Sequence, residues 1–412
     1  MLDLKFIVEN AQAVQDNANK KNFKVDVSKV VELDVKRREL LTKMEETRAA
    51  QKKLGKDQIE EAKKLKAEVQ ALEPEVEKVT AEMMALAAQI PNMLLPSTPS
   101  GKDGSENVVV KKVGEPRKFD FEPKDHVELG KLLDIIELEK AAEMSGARFY
   151  YLKNEGALLE LALVQFVISK LASRGFSPVI PPVLVKENAM YATGFFPADK
   201  NEIYHVNPGE DDLYLVGTSE VPLTMLHANE VVNVTDKPLH YCGFSTCFRR
   251  EAGSYGKDTK GIIRVHQFDK VEMFSFCAPE VSEKEHEMLV GIEEEIVQEL
   301  GFAYQLVNIC SGDLGAPAAK KFDIEAWIPT QGCYREITSC SNCTTYQARR
   351  AGIKFTNAEG KKEFIHTLNG TACAMPRMIV SILENNQNAD GSVTIPECLR
   401  PYMGGKDKIV PK

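Results

Sequence analysis

Apolar positions along residues 27–90 recur at alternating steps of three and four. Val30, Leu33, Arg37, Leu40, Met44, Thr47, Gln51 and Leu54 mark a weakly occupied seam. Ala62, Leu65, Val69, Leu72, Val76, Val79, Met83, Leu86 and Ile90 mark a clean one. That spacing predicts two α-helices packed as a coiled coil. "LGKD" at 54–57 interrupts the pattern, with Gly55 suited to a helix C′ position and Asp57 to an N-cap. The expectation is an antiparallel hairpin about 40 Å long, kinked at Pro74 inside its second helix. Beyond "IPNMLLPSTPSGKDGSEN", a Pro/Ser/Gly-rich stretch read as a boundary, the period changes.

The pattern there becomes mixed. A helix is expected over about 155–174, stopped at Gly175, followed by an extended segment 178–185. Strand-like runs follow at 202–206, 213–217, 239–249, 262–274, 303–307, 321–328 and 332–339. Several are joined as hairpins, which predicts an α+β domain with a mainly antiparallel sheet flanked by helices. The two domains are placed at 1–105 and 106–412. Residues 262–274 alternate strictly, so Arg264, Phe268 and Glu272 should share one strand face.

Composition narrows the class. Hydrophobic residues make up 43% of the 412 positions and charged residues 27%, with a net charge of −9. No global basic field exists, so a nucleic acid would need a local patch. Such a patch occurs at the hairpin tip, where Lys36–Lys66 holds eleven basic and six acidic residues. The nine cysteines and the absence of a signal-type N-terminus suit a reducing, cytoplasmic setting, with no membrane association expected. There is no GxGxxG and no P-loop, so neither common phosphate loop is available. "CSNC", Cys340 to Cys343, has the spacing of half a zinc site but no second pair accompanies it. His266, among apolar neighbours, reads as structural.

The polar clusters lie at expected strand ends. "FRRE" opens a long Gly-rich loop and "RVHQFDKVEMF" closes it. "VGTSEVPL" precedes a helix expected from about Pro222, and "YREITSCSN" carries Arg335, Glu336, Thr338 and Ser339. "LNGTACAMPR" is read as a strand, a turn at Asn369-Gly370, and a helix start that turns Arg377 back toward free N–H groups.

Together these segments resemble the class II aminoacyl-tRNA synthetases. "GFSPVIPPVLV" resembles their motif 1, "FRRE…RVHQFDKVEMF" motif 2, and "NGTACAMPRMIVSILE" motif 3. Over essentially the full chain the match is to the seryl family, since "MLDLKFIVEN", the hairpin and "FDFEPKDHVELG" also fit, in order. The resemblance implies an ATP-dependent ligase that forms seryl-adenylate and passes the seryl group to the 3′-terminal ribose of tRNA(Ser), with tRNA(Sec) an open further acceptor. It implies catalytic roles for Arg249, Glu336 and Arg377. It places Arg249, Arg250, Glu251, Phe268, Glu336, Ile337, Thr338, Ser339 and Arg377 on ATP. It places Thr218, Ser219, Glu220, Glu272 and Thr371 on L-serine, and Glu336 with Ser339 on Mg²⁺. It further implies a homodimer, and a hairpin arm that meets tRNA through Arg48, Lys52, Lys53 and Lys56. Three other readings compete. A paralogue loading a carrier protein should lack the arm. A non-catalytic homologue should have lost Arg249, Glu336 or Arg377, all of which are present. A coiled-coil scaffold leaves the second domain unexplained.

Overall fold

A computed structural model describes residues 1–55, 57–252 and 260–412. The chain divides into two compact units, Met1–Met93 and Leu94–Lys412.

In the first unit, helices Val27–Lys53 and Ile59–Ala87 form the expected hairpin. Every seam position named above is buried or half-buried, so the three/four spacing is realised as the contact line between the helices. Asp26 caps the first helix, accepting from Lys29 N at 3.3 Å. At the tip Gln58, not Asp57, holds the N-cap position, and its side chain accepts from Gly55 N–H at 3.0 Å. The second helix runs unbroken through Pro74. Two short helices, Leu4–Glu9 and Ala11–Lys20, close the base around Ile7, Val14, Val30, Met83 and Ile90.

The boundary falls twelve residues or so before the expected 105/106. The Pro/Ser/Gly-rich segment is irregular, but its backbone is bonded into the second unit. Leu95 N donates to Ala319 O at 3.1 Å, and Ser311 N donates to Pro99 O at 2.8 Å. Composition that breaks helices does not by itself make a free linker.

The second unit is built on eight strands, numbered here in chain order: β1 Val108–Val113, β2 Ser177–Val179, β3 Leu239–Phe248, β4 Gln267–Cys277, β5 Tyr304–Asn308, β6 Lys320–Ile328, β7 Cys333–Asn342 and β8 His366–Ala374. They lie in the order β1-β5-β6-β7-β8-β4-β3-β2. All neighbours are antiparallel except β2 and β3. Pro178 therefore sits on an edge strand, where a missing N–H is tolerated. Helices Asn154–Ser173, Ser282–Glu299 and Met375–Asn385 bury apolar faces in the core shared with the sheet, through residues such as Leu163, Ile292 and Ile379. Asn154–Ser173 is long and apolar enough to span a membrane by composition. Leu159, Leu163, Phe166, Val167 and Leu171 are buried in this core, while Leu158 and Leu161 are exposed.

Two local expectations are corrected. The strand expected from Ile262 begins at Gln267. The ladder to β3 ends at the pair Phe248–Gln267, and among the described residues 260–266 none is in a strand. Their alternation is satisfied by packing instead: Ile262 is fully buried and its N–H donates to His126 Nε2 at 3.2 Å. Arg264 is thus not on the strand face with Phe268 and Glu272. The turn expected at Asn369-Gly370 is also missing, for β8 runs straight through both residues, opposite Phe274 and Met273. Gly370 serves close packing: a Cβ there would stand 3.0 Å from Glu293 Oε1 and 3.2 Å from Cys340 Sγ.

Candidate active site

Strands β4, β6, β7 and β8 and the start of helix Met375–Asn385 surround a cavity of about 590 Å³. Most of the expected site residues converge on it. From separate parts of the chain come Thr218, Glu220, Arg249 and Glu251, then Phe268 and Glu272 on β4. Strand β7 adds Glu336, Ile337, Thr338 and Ser339, and Thr371 and Arg377 complete the wall. Arg264 reaches the same wall from the loop before β4.

Two expected contacts lie outside it. Ser219 is fully buried and shares a hydrogen bond with Ser245 Oγ at 2.7 Å, so its side chain faces the interior beside Gly243. Arg250 is exposed, and its backbone N–H donates to Glu202 O at 2.9 Å. Neighbours in a short motif leave in different directions, so adjacency in sequence does not imply a shared wall. Residues 253–259 of the motif 2 loop, and Lys56 of the hairpin, lie outside the described residues.

Arg249 is held at several points. Its backbone N–H donates to His266 O at 3.0 Å, and the His266 ring N–H donates back to Arg249 O at 2.9 Å. His266 is therefore a brace. The Arg249 Nε donates to Gly217 O at 3.2 Å, and its guanidinium lies 5.3 Å from the Phe268 ring centroid. That places the cation and the flat ring side by side. Glu251 has φ of 51°, a left-handed conformation that a glutamate rarely adopts. Its carboxylate accepts from Arg264 at 3.0 Å, and Ala252 N–H is bound by Glu202 at 3.0 Å. The strained residue is thus clamped from both sides.

Arg377, third residue of its helix, donates to Glu336 Oε1 at 3.1 Å and to Glu336 O at 3.0 Å. Desolvation would raise the Glu336 carboxyl, but Arg377, Lys321 and Arg249 outweigh it and draw the pKa down to about 2. The group stays an anion among cations. Glu336 and Ser339, three residues apart on β7, offer hard oxygen donors to the cavity. Among the described residues no group of three or more His, Cys, Asp or Glu is placed to hold a metal by itself. A hard cation that takes one carboxylate and completes its shell with substrate phosphates fits this donor set.

The third wall is acidic. Glu220 Oε1 accepts from Gln347 at 2.6 Å and from Asn369 at 3.0 Å. Its burial, then the nearby Glu272, push its pKa up to about 7, against the opposing pull of Gln347, Lys270 and Arg249. Thr371 Oγ donates to Glu272 Oε2 at 3.4 Å. Lys270 Nζ stands 2.5 Å from the same oxygen and 2.9 Å from Thr218 Oγ. Lys270 was not among the expected site residues. The signal was present, since 268, 270 and 272 share a strand face as surely as 268 and 272 do. Lys321 on β6 was missed likewise, although it lines the same cavity from a strand paired with β7.

The hairpin residues stand apart from this chemistry. Arg48 is half-exposed and pairs with Glu73 across the two helices at 2.8 Å. Lys52 and Lys53 are exposed in the last turn of the first helix.

Comparison with known proteins agrees with both units. Residues 1–94 match the family described as "Seryl-tRNA synthetase N-terminal domain", and residues 202–386 match "tRNA synthetase class II core domain (G, H, P, S and T)". The serine--tRNA ligase of Corynebacterium glutamicum is 45% identical, covering 100% of this chain and 99% of the relative. The seryl-tRNA synthetase of Pyrococcus horikoshii, solved in complex with ATP, is 40% identical with a TM-score of 0.94, covering 100% of both chains. The cytoplasmic serine-tRNA ligase of Naegleria fowleri, solved with AMP, is 33% identical with a TM-score of 0.90, covering 100% of this chain and 99% of that one. With both units matched and the cavity assembled from the motifs that carry the likeness, the chain belongs to the seryl-tRNA synthetases, the class II ATP-dependent enzymes that ligate serine to tRNA.

Proposed function

We propose that the cavity activates serine by positioning and charge alone. The observation that carries this is that Arg249 and Arg377 both line the cavity, with Phe268 beside the first and Glu336 against the second. The adenine stacks on Phe268 and is read at its edge by Glu251, with the backbone around Ile337 and Thr338 lining the path. Arg249 grips the α-phosphate and the serine carboxylate. Arg377 holds the terminal phosphate. Thr218, Glu220, Glu272 and Thr371 enclose serine, with Ser219 held beside them by Ser245 and Glu220 and Glu272 receiving the ammonium.

A carboxylate oxygen of serine then attacks the α-phosphorus. The bond to the bridging oxygen breaks, pyrophosphate leaves with the electron pair, and seryl-adenylate remains. Negative charge grows on the α-phosphoryl oxygens, where preorganised cations act without reorganising. In the second step a hydroxyl of the terminal ribose attacks the seryl carbonyl and AMP departs. Neither step needs a side-chain nucleophile. Mg²⁺, held by Glu336 and Ser339, would supply neutralisation of the polyphosphate.

The arm is proposed to bind tRNA(Ser) through Arg48, Lys52, Lys53 and Lys56, as counterion release favours a basic tip on a phosphate backbone. Whether tRNA(Sec) is charged as well is left to the same assay. A homodimer is proposed through the motif 1 segment. On that segment Ile180 is 84% exposed and Leu184 43%, with Leu158 and Leu161 exposed on the helix before it, and large exposed apolar groups suit a subunit interface. A cytoplasmic setting is proposed, in keeping with nine free cysteines. Incubation with serine, ATP, Mg²⁺ and total tRNA, with tRNA(Ser) and tRNA(Sec) transcripts alongside, tests the reading. Seryl-tRNA(Ser) is expected; failure to charge it, with serine still activated, would remove the transfer step and the arm's role.

A further inference from the structure

We propose that Lys321 is a further phosphate-binding cation of this cavity, with Asp323 the positioning residue that holds it there. The inference rests on reading the cavity as a nucleotide site.

Lys321 and Asp323 lie on β6, directly beside the strand that carries Glu336 and Ser339. In the ladder Lys321 is opposite Ser341 and Asp323 is opposite Ser339. Directly opposed residues of an antiparallel pair share a sheet face, as do residues two apart on one strand. All four side chains therefore stand on the same face, and Lys321, Ser339 and Ser341 line the cavity. The Lys321 ammonium is 3.1 Å from Asp323 Oδ2, with side chains only 21% and 7% exposed.

A pair so far out of water is a poor way to stabilise a sheet. Removing two charges from solvent offsets most of what their attraction returns, and an apolar pair of similar size commonly does as well or better. Phe322 and Ile324, alternating with the pair, show what β6 uses where only packing is needed. The charges answer to something in the cavity. On that side Arg377 binds Glu336, which shares β7 with the serines opposite Lys321 and Asp323, and Lys321, Glu336 and Arg377 all line the cavity. Arg249 is tied instead to Gly217 and Phe268. Lys321 therefore stands at the polyphosphate end, where the leaving pyrophosphate gathers charge. Lysine presents a compact point charge on a flexible stem. The carboxylate two residues on removes that freedom, so the charge is in place before the nucleotide arrives.

The experiment compares wild type, Lys321→Met, Lys321→Gln, Lys321→Arg and Asp323→Asn as full chains, each checked by thermal unfolding. Michaelis constants for ATP and pyrophosphate are measured by serine-dependent isotope exchange. Calorimetry then measures a sulfamoyl analogue of seryl-adenylate, which has no β- or γ-phosphate. Lys321→Met and Lys321→Gln should raise both constants by about tenfold or more, the loss of one charge-assisted contact, while analogue binding stays within about twofold. Asp323→Asn should move the same constants less, and Lys321→Arg should recover part of the loss. Unchanged constants in both uncharged variants, or an analogue weakened as much as ATP, overturn the assignment. Exchange missing from wild type would instead sink the nucleotide reading beneath it.

Discussion

The hairpin and the cavity use the same residue types for opposite ends. On the hairpin, Lys36–Glu75, Lys43–Glu68 and Arg48–Glu73 bridge the two helices at 2.8–3.5 Å, with side chains 41–59% exposed. Exposed pairs of this kind contribute little, and salt screens them. The seam beneath them holds the helices together, so the charges above it are free to change without loss of the fold. In the cavity, Lys270 and Glu272 meet at 2.5 Å with side chains 6% and 2% exposed. Each charge there fixes another: Lys270 holds Thr218 and Glu272, Arg377 holds Glu336, and Asp323 holds Lys321. In the role proposed for the tip, screened cations serve a polyanion by number. Where a cation is buried, it serves a single atom by position.

Substitutions should separate the two regions. The largest effect is expected from Arg377→Ala or Arg249→Ala, each of which should cut serine-dependent ATP–pyrophosphate exchange by about 10²–10³, the loss typical of one preorganised donor. Exchange within tenfold of wild type would sink the roles assigned to them. Next comes the hairpin. Changing Arg48, Lys52, Lys53 and Lys56 to Gln should weaken tRNA binding and flatten its salt dependence, by roughly 0.7–0.9 units of slope per lost phosphate contact. Exchange without tRNA should not move. Normal charging by this variant across a salt series would make the tip a solvated face.

A smaller effect concerns pH. The Glu220 carboxyl lies near 7 because burial and Glu272 both favour its neutral form. An incoming ammonium favours the ionised form, so serine must displace a proton when the pH is below that value. Serine affinity should therefore fall as pH drops through 7 toward 6, by up to about tenfold per unit, while Glu220→Gln gives a flat profile. Calorimetric titrations over that range decide it, and a flat wild-type profile contradicts the proposed ammonium contact. The smallest effect is expected for the Arg48–Glu73 pair, whose coupling in a double-mutant cycle by denaturant unfolding should be at most about 0.5 kcal/mol.

The same contrast explains what could be read from the chain. The hairpin was legible because its contacts repeat every three or four residues and each position announces its neighbour. The cavity was legible only as far as short motifs carry a family likeness. Arg249, Glu251, Glu336 and Arg377 were found in that way, and strand alternation placed Phe268 and Glu272 together. What failed depends on partners far along the chain. Strand β4 starts at Gln267 because its ladder with β3 ends there, which residues 262–266 do not encode. The Asn-Gly pair at 369–370 has turn chemistry, yet two flanking strands hold it extended. The 94–105 segment has linker composition, yet Ala319 and Ser311 tie it down. Lys270 and Lys321 were passed over because a lysine in a strand is ordinarily a solvated end. Only the sheet order shows that both face a cavity.

The most direct test of the account is amino-acid-dependent ATP–pyrophosphate exchange by the full chain without tRNA, run in parallel with serine, alanine, glycine and threonine. Exchange should require serine. Alanine, which leaves the groups around the serine hydroxyl unpaired, should be disfavoured by on the order of 10⁴ in kcat/KM. Exchange that is missing with serine, or equally fast with alanine, would contradict the claim that this cavity activates serine.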